Sequence, residues 1–435
     1  MFAKRYRFVI ASLLFIAGII NYMDRAALGV AAPFVKQDLN LSPSELGVIF
    51  STFFFGYAIF AFVGGQLADR YGPRRIYSWA ATSWSVLCML TGAVTGFAQM
   101  FIVRSLFGFA EGPMNSTTNR TITTWFPREE TARTIGFTFS GQTVGSAIAA
   151  PVVGLLAIQY GWRVAFVAIG AVGLLWVVAW RLLMTDRPQD NPRVSPEEIA
   201  LVERSRAVTH LAPSDHARSL KGYLFLPSTL SLGLGMFAVN YTLYIFLSWL
   251  PSYLTDALHM PVKEMALVAS IPWACGFVGY VGGGIVADLV YKRMGDKLAA
   301  RKITTIVPLA IAGVALIAVN AATSTAMAVS LIALAVLMLT SSVQSCWATI
   351  HELVPEARVG GVSGFIHLLS NISGIIGPTA TGFAVQYLGG YASAFVIRPD
   401  RGGGRRRHGD LRAAAPQPGG SRSPRRGQGR LNDTV

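Results

Sequence analysis

Charged residues are scarce in this chain of 435 residues: they make up 14% of it, with 37 lysines and arginines against 22 aspartates and glutamates. Hydrophobic residues make up 52%, and the mean hydropathy is +0.47. This composition excludes an ordinary soluble globular protein. Cysteine is also rare, and Cys88, Cys275 and Cys346 lie in apolar segments without metal-ligand spacing. We therefore predict no disulfide framework and no metal site.

Long apolar segments are abundant instead. A membrane-spanning helix needs about 20 apolar residues, and eleven segments of that kind predict an all-α polytopic membrane protein. The predicted spans are 8–30, 45–68, 76–96, 98–122, 132–158, 163–184, 223–252, 263–289, 303–320, 325–348 and 358–387. The first has no small-residue cleavage site after it, so we expect a retained helix rather than a signal peptide.

Lysine and arginine are distributed unevenly between the loops on the two sides of the predicted membrane. Loops on one side of the predicted membrane hold only Lys36, Arg163 and Lys263, and the other side holds most of the rest. The positive-inside rule therefore predicts a cytoplasmic N-terminus. The net charge of +15 then reflects loops that face anionic lipid, and nucleic acid is not needed as a partner.

Internal repeats divide the chain. Residues 64–69 recur in similar form at 283–288, and the polar residue Gln142 corresponds to Asn371 in a second repeat. We predict two six-helix halves, with an N-terminal half at 1–184 and a C-terminal half at 223–397. The segment 185–222 would be a cytoplasmic linker whose short surface helix is capped by Ser195.

The C-terminal half diverges from this repeat where its twelfth helix should run. Beyond residue 397 the chain becomes rich in arginine, glycine and proline, so we predict a truncated twelfth helix and a disordered tail at 398–435. We attribute the tail to a shifted reading frame. The alternative is a genuine arginine-rich interaction tail, which the orientation of the other loops opposes.

The loop between the second and third predicted spans reads GQLADRYGPRR over residues 65–75. It resembles the signature loop of the major facilitator superfamily. The resemblance implies two six-helix halves and a charged cytoplasmic gate between them. The gate residues would be Gly65, Asp69, Arg70, Gly72 and Arg74. A plain solvated turn would explain the arginines but not Asp69.

Two further segments are similar to the anion:cation symporters of that superfamily, which include bacterial galactonate, glucarate and hexuronate carriers. They read NYMDR at 21–25 and RSLFGFAEGP at 104–113. The resemblance implies that six residues contact substrate: Tyr22, Arg25, Tyr57, Gln142, Trp347 and Asn371. Aromatic residues in a span are also common packing residues, which is the alternative for Tyr57 and Trp347.

Charges inside a membrane span are costly and therefore suggest function. Arg104 and Glu111 are seven residues apart, so they share one helix face about 10 Å apart along the axis. We expect Asp24 to pair with Arg104, which leaves Arg25 for an anion. Glu111, favoured in its protonated form at membrane depth, would carry the proton, and Asp24 and Arg104 would take part in proton coupling. A role for Asp24 as a second titrating group stays open. Static ion pairs are the alternative for Asp24 and Glu111.

These features predict a monomeric secondary transporter in the bacterial cytoplasmic membrane and exclude an enzyme, because no nucleophile-base spacing appears. It would carry a small organic anion, a sugar acid, together with protons by alternating access. Its partners would be that anion, protons and membrane lipid, and the proton gradient would replace any cofactor. The alternatives are a substrate-binding sensor, a transporter inactivated by truncation, or an exporter of drugs or other anions with the same fold.

Overall fold

The computed structural model describes residues 5–207, 220–354 and 356–388. The predicted tail and twelfth helix lie outside the described residues. Helices make up the described ranges almost entirely, and these ranges contain no β-strand. A first group of helices comprises α1 (Arg7–Asp38), α2 (Pro43–Tyr71), α3 (Pro73–Thr91), α4 (Phe97–Glu111), α5 (Met114–Trp125), α6 (Arg128–Tyr160) and α7 (Trp162–Leu183).

Two short helices follow in the linker region, α8 (Pro196–Ala207) and α9 (Leu220–Leu224). The second group comprises α10 (Pro227–Ser252), α11 (Val262–Val268), α12 (Ser270–Met294), α13 (Lys297–Val319), α14 (Thr325–Leu353) and α15 (Glu356–Tyr387). A single π-helical turn, Tyr253–Ala257, extends α10. The all-α architecture predicted from the sequence is confirmed.

Nine helical segments among the described residues are long and apolar enough to cross a membrane. The other two predicted spans fold as helices at the expected places but fall short of that measure. The third is α3, which is 19 residues long and contains several polar side chains. The fourth is divided after Glu111 into α4 and the threonine-rich α5. Three of its polar residues, Arg104, Glu111 and Asn115, belong to the site described below.

The turn between α2 and α3 explains why this loop needs its glycine. Gly72 has a φ of 86°, a conformation that glycine adopts without the steric cost of a Cβ. Pro73 starts α3 immediately afterwards, where a missing N–H is harmless. At its other end α2 begins with a capping box, in which Ser42 and Glu45 each accept a hydrogen bond from the other's backbone N–H.

The linker helix α8 is attached to the first group through one buried carboxylate. Ser195 caps α8 as predicted, because its hydroxyl accepts from the Glu198 N–H at 3.3 Å. Glu198 is 4% exposed and accepts from the backbone N–H of Tyr6 and from both the backbone and the guanidinium of Arg7. The same guanidinium donates twice to Glu130, at 3.0 Å each. The linker is thus bound to the start of α1, not merely tethered.

The two helix groups meet around the end of α1 that carries Lys36, here called the Lys36 end. Lys36 pairs with Asp256 at 3.3 Å. On α2, the Ser51 hydroxyl oxygen accepts two hydrogen bonds from Thr379 of α15, from its hydroxyl at 2.8 Å and from its backbone N–H at 3.0 Å. Gly29 of α1 packs against the α10 backbone so closely that a Cβ would collide with the Leu247 carbonyl oxygen. In the described residues, the hydrogen bonds and ion pairs that join the two groups lie at this end.

Candidate functional site

Arg25 is the centre of the candidate site. It lies on α1, and its side chain is 3% exposed. Its Nε and Nη2 both donate to Oε2 of Glu111 on α4, at 3.1 and 2.7 Å. Three aromatic rings surround the guanidinium carbon, with centroids 4.7 to 4.8 Å away: Tyr22, Phe53 and Tyr57. The site therefore holds a fixed cation in an apolar cage with one ionic partner.

The expected pairing of Asp24 with Arg104 is wrong for this structure, and so is the expectation that Arg25 is free. Asp24 instead accepts a hydrogen bond from the Cys88 thiol, with sulfur and Oδ1 3.6 Å apart. Arg104 lies over the rings of Phe53 and Phe107, and its Nε has no hydrogen-bond partner among the described residues. Asp24 and Arg25 point about 100° apart, and in this structure Arg25 is the residue that contacts Glu111 of α4.

The shared face of Arg104 and Glu111 on α4 is confirmed, since both side chains are buried, at 3% and 0% exposure. With Asp24 and Arg25 they form a buried set of two acids and two bases. Such a set is electrically neutral when both carboxyls are ionised. A buried charge without a partner is costly, so any change at one member must be balanced nearby.

A chain of side-chain hydrogen bonds extends the site across the first group. The Asn115 amide donates to the Tyr57 hydroxyl at 2.9 Å, and Gln142 donates to the Asn115 carbonyl oxygen at 3.3 Å. The structure thus brings Tyr22, Arg25, Tyr57 and Gln142 together. Asn115 itself was not predicted; it lies four residues after Glu111, on α5 beyond the break at Gly112 and Pro113.

The second group contributes Asn371 and its hydrogen-bond partner Tyr244, which was not predicted as a site residue. The Tyr244 hydroxyl donates to Oδ1 of Asn371 at 3.2 Å, and the Tyr244 ring lies 4.3 Å from the ring of Phe54 on α2. No sequence signal distinguished Tyr244 from a packing aromatic. The ring of Trp347 lies 6.2 Å from that of His367. A substrate contact for Trp347 stays a prediction.

The predicted cytoplasmic gate lies at the opposite end of α2. Asp69 pairs with Arg120 of α5 at 3.0 Å, so its partner belongs to the first group and not to the second. The backbone N–H of Arg74 donates to Asp186 at 2.9 Å, and its guanidinium donates to the carbonyl of Arg181. Arg70 is exposed, and Gly65 lies within α2. A latch between the groups stays a prediction for a conformation closed at this end.

Among the described residues, no cluster of three or more histidine, cysteine, aspartate or glutamate side chains could hold a metal ion. What the site offers is a buried cation, two carboxyls, a row of amides and tyrosine hydroxyls, and contributions from both helix groups. These features, on a bundle of membrane-length helices, define a membrane transporter rather than an enzyme.

Comparison with known proteins identifies the family. The chain belongs to the Major Facilitator Superfamily, whose profile matches residues 14–378. It is 39% identical over 399 residues to the hexuronate transporter of Bacillus subtilis (strain 168), covering 91% of this chain and 92% of that protein. It is 31% identical to the probable galactarate/D-glucarate transporter GarP of Escherichia coli (strain K12), covering 90% and 91%.

Solved structures agree on the fold. A bacterial homologue of the human lysosomal transporter Spinster superposes with a TM-score of 0.71 at 22% identity, covering 88% of this chain and 83% of that chain. A D-xylose-proton symporter superposes with a TM-score of 0.67 at 15% identity, covering 90% and 96%. At these identities the likeness establishes the fold alone.

Proposed function

We propose that this protein imports a sugar acid together with protons across the bacterial cytoplasmic membrane, by alternating access. Hexuronates are the first substrates to test, because the hexuronate transporter is 39% identical over most of both chains. Glucarate and galactonate follow from the other relatives. The N-terminus would be cytoplasmic, which places the Lys36 end outside and makes this conformation closed to the exterior.

The observation that carries the proposal is the Arg25–Glu111 ion pair. Both side chains are buried, and the two donating nitrogens of Arg25 converge on one carboxylate oxygen. A sugar acid presents the same carboxylate chemistry. Arginine keeps its charge and binds carboxylates through its planar fork of N–H groups. The Glu111 carboxylate therefore occupies the Arg25 guanidinium, which is the group that a substrate carboxylate would bind.

Competition for Arg25 couples proton to substrate. When Glu111 takes up a proton, its negative charge disappears and Arg25 is left without an ionic partner in a buried place. A substrate carboxylate then restores the balance. When Glu111 loses its proton, it reclaims Arg25 and displaces the substrate. With Asp24 ionised, the neutral combinations are protonated Glu111 with substrate and ionised Glu111 without it, which is the condition for symport.

The hydrogen-bonded amides and hydroxyls supply contacts for the sugar. Tyr57, Asn115 and Gln142 lie on the first group, and Tyr244 and Asn371 on the second. A polyhydroxylated chain can exchange hydrogen bonds with each of them at small net cost. Since these side chains come from both groups, a bound substrate would bridge the two bodies that move during transport.

The test uses the purified protein in proteoliposomes with an imposed pH gradient, acidic outside. We expect accumulation of radiolabelled glucuronate or galacturonate but not of glucose or galactose, which lack the carboxylate. Glu111→Gln should keep substrate exchange at equal pH and lose accumulation driven by the gradient. Arg25→Ala should lower both by about 10- to 100-fold, the effect of a lost charge-assisted hydrogen bond. Full gradient-driven accumulation by Glu111→Gln would refute the proton role.

A further inference from the structure

Cys88 lies between two acceptors inside the first helix group. It is on α3, is fully buried, and its sulfur lies 3.6 Å from Oδ1 of Asp24 on α1 and 3.6 Å from the backbone carbonyl oxygen of Phe166 on α7. Both distances are suited to a thiol donor. The thiol thus has one hydrogen and two acceptors. The Asp24 carboxyl is the acceptor whose charge changes when it takes up a proton.

The two oxygens of Asp24 are not equivalent. Oδ1 accepts from Cys88, whereas Oδ2 is buried and has no hydrogen-bond partner among the described residues. The groups facing Asp24 are Arg104 and Glu111 from α4 and Cys88 from α3, with Arg25 next in its own helix. A fully buried carboxylate oxygen without a partner calls for an explanation. A proton on that oxygen would remove the buried negative charge.

We infer that Cys88 is a positioning residue for proton coupling. Its thiol holds Oδ1 of the ionised Asp24 and leaves Oδ2 as the atom that receives a transported proton. When Oδ2 is protonated, the carboxyl becomes neutral and the thiol hydrogen turns to the Phe166 carbonyl oxygen. Sulfur keeps its hydrogen throughout, so nothing is oxidised and no bond to sulfur breaks. The inference rests on the proposed proton-coupled transport.

Removal of the thiol should move the pH dependence of uptake. Cys88→Ala takes one hydrogen bond from the ionised form of Asp24, so the proton is retained to higher pH. The external pH of half-maximal uptake should then rise by about half a unit to one unit, the size of one modest hydrogen bond. Cys88→Ser keeps a donor and should restore most of the wild-type profile. Cys346→Ala is the matched control, since it removes a buried thiol from α14 in the other group.

A second readout does not depend on transport. Infrared difference spectra of the purified protein, recorded between two pH values, should contain an S–H stretching change that disappears in Cys88→Ala and persists in Cys346→Ala. The spectra can be recorded on a variant that transports poorly as well, because they do not depend on uptake. A thiol that only fills space would give no such change.

The outcomes separate the two proposals. If uptake by the wild-type protein is independent of pH, the proposed coupling itself fails. If wild-type uptake depends on pH but Cys88→Ala and Cys346→Ala have the same profile, and no S–H change occurs, coupling stands and the role of Cys88 is refuted.

Discussion

At the scale of single residues, the two buried arginines do different work. Arg25 has an ionic partner and an aromatic cage, whereas Arg104 lies against two phenylalanine rings with its Nε unpartnered among the described residues. Arg104 keeps positive charge close to Asp24 and Glu111 without occupying either carboxylate. In the proposed mechanism, Arg25 is therefore the group whose ionic partner is exchanged.

Replacement of Arg25 by lysine tests that role without removing the charge. An ammonium is a point charge and lacks the planar fork that lets two nitrogens converge on a carboxylate. We expect Arg25→Lys to lower uptake by about 10- to 100-fold, mostly through KM. Initial rates across a substrate series would measure this. Arg163→Lys, at a half-exposed ion pair with Asp38, is the control, and equal effects at both sites would contradict a special role for Arg25.

Asn115 should act on the sugar rather than on the proton. Asn115→Ala removes the partner of both Tyr57 and Gln142, so the buried Tyr57 and the half-buried Gln142 each lose a hydrogen bond. We expect KM for hexuronates to rise about 10-fold, equivalent to one to two lost hydrogen bonds, while the pH dependence stays unchanged. Competition assays with sugar acids that differ in hydroxyl configuration would measure it. A changed pH profile with an unchanged KM would contradict this assignment.

At the scale of helices, periodicity and capping chemistry were sufficient to place most elements. Ser195 before α8 and the apolar windows of the spans gave positions close to those observed. Pro113 predicts a kink in the fourth span, because prolines disrupt helices, but the full division into two helices was not predicted. The attachment of α8 could not be predicted either, because Glu198 and Arg7 are 191 residues apart and nothing local connects them.

The attachment of the linker helix predicts a large effect from one carboxylate. Glu198→Ala removes an ionic partner of the buried Arg7 and leaves two backbone N–H groups without an acceptor. Breaking a buried ion pair costs about 3–5 kcal/mol, so the melting temperature in detergent should fall by several degrees. Glu197→Ala, an exposed neighbour on the same helix, should have little effect. Equal melting temperatures for the two variants would contradict the contact.

At the scale of the whole molecule, the sequence predicts that the charged residues lie in one region, but it does not predict which of them form ion pairs. Tyr22, Arg25, Tyr57 and Gln142 do come together, as the resemblance implied. The pairing of Glu111 with Arg25 depends on how α1 is rotated against α4, and helix period alone does not fix that angle. Tyr244 was missed for a related reason, since its partner Asn371 is 127 residues away.

Contact between the two groups at the Lys36 end predicts the behaviour of Gly29. In this conformation its Cα approaches the Leu247 carbonyl, and an added methyl group would force the α10 backbone away. Gly29→Ala should therefore disfavour closure at this end and shift the population toward the alternative conformation. Gly136→Ala on α6 is the control, because a Cβ there meets nothing within 4 Å.

The shift can be measured with a cysteine at Ser51, which is 5% exposed at the contact between α2 and α15. Maleimide labelling of Ser51→Cys in detergent reports opening of the Lys36 end, and it does not depend on which side of the membrane that end faces. We expect Gly29→Ala to raise the labelling rate several-fold, while Gly136→Ala leaves it unchanged, and uptake should slow only in the first. In the proposed alternating access the two groups separate here once in each transport cycle. Faster labelling with normal uptake would therefore mean that closure at this end is not the step that limits transport. Unchanged labelling would mean that Gly29 does not control closure.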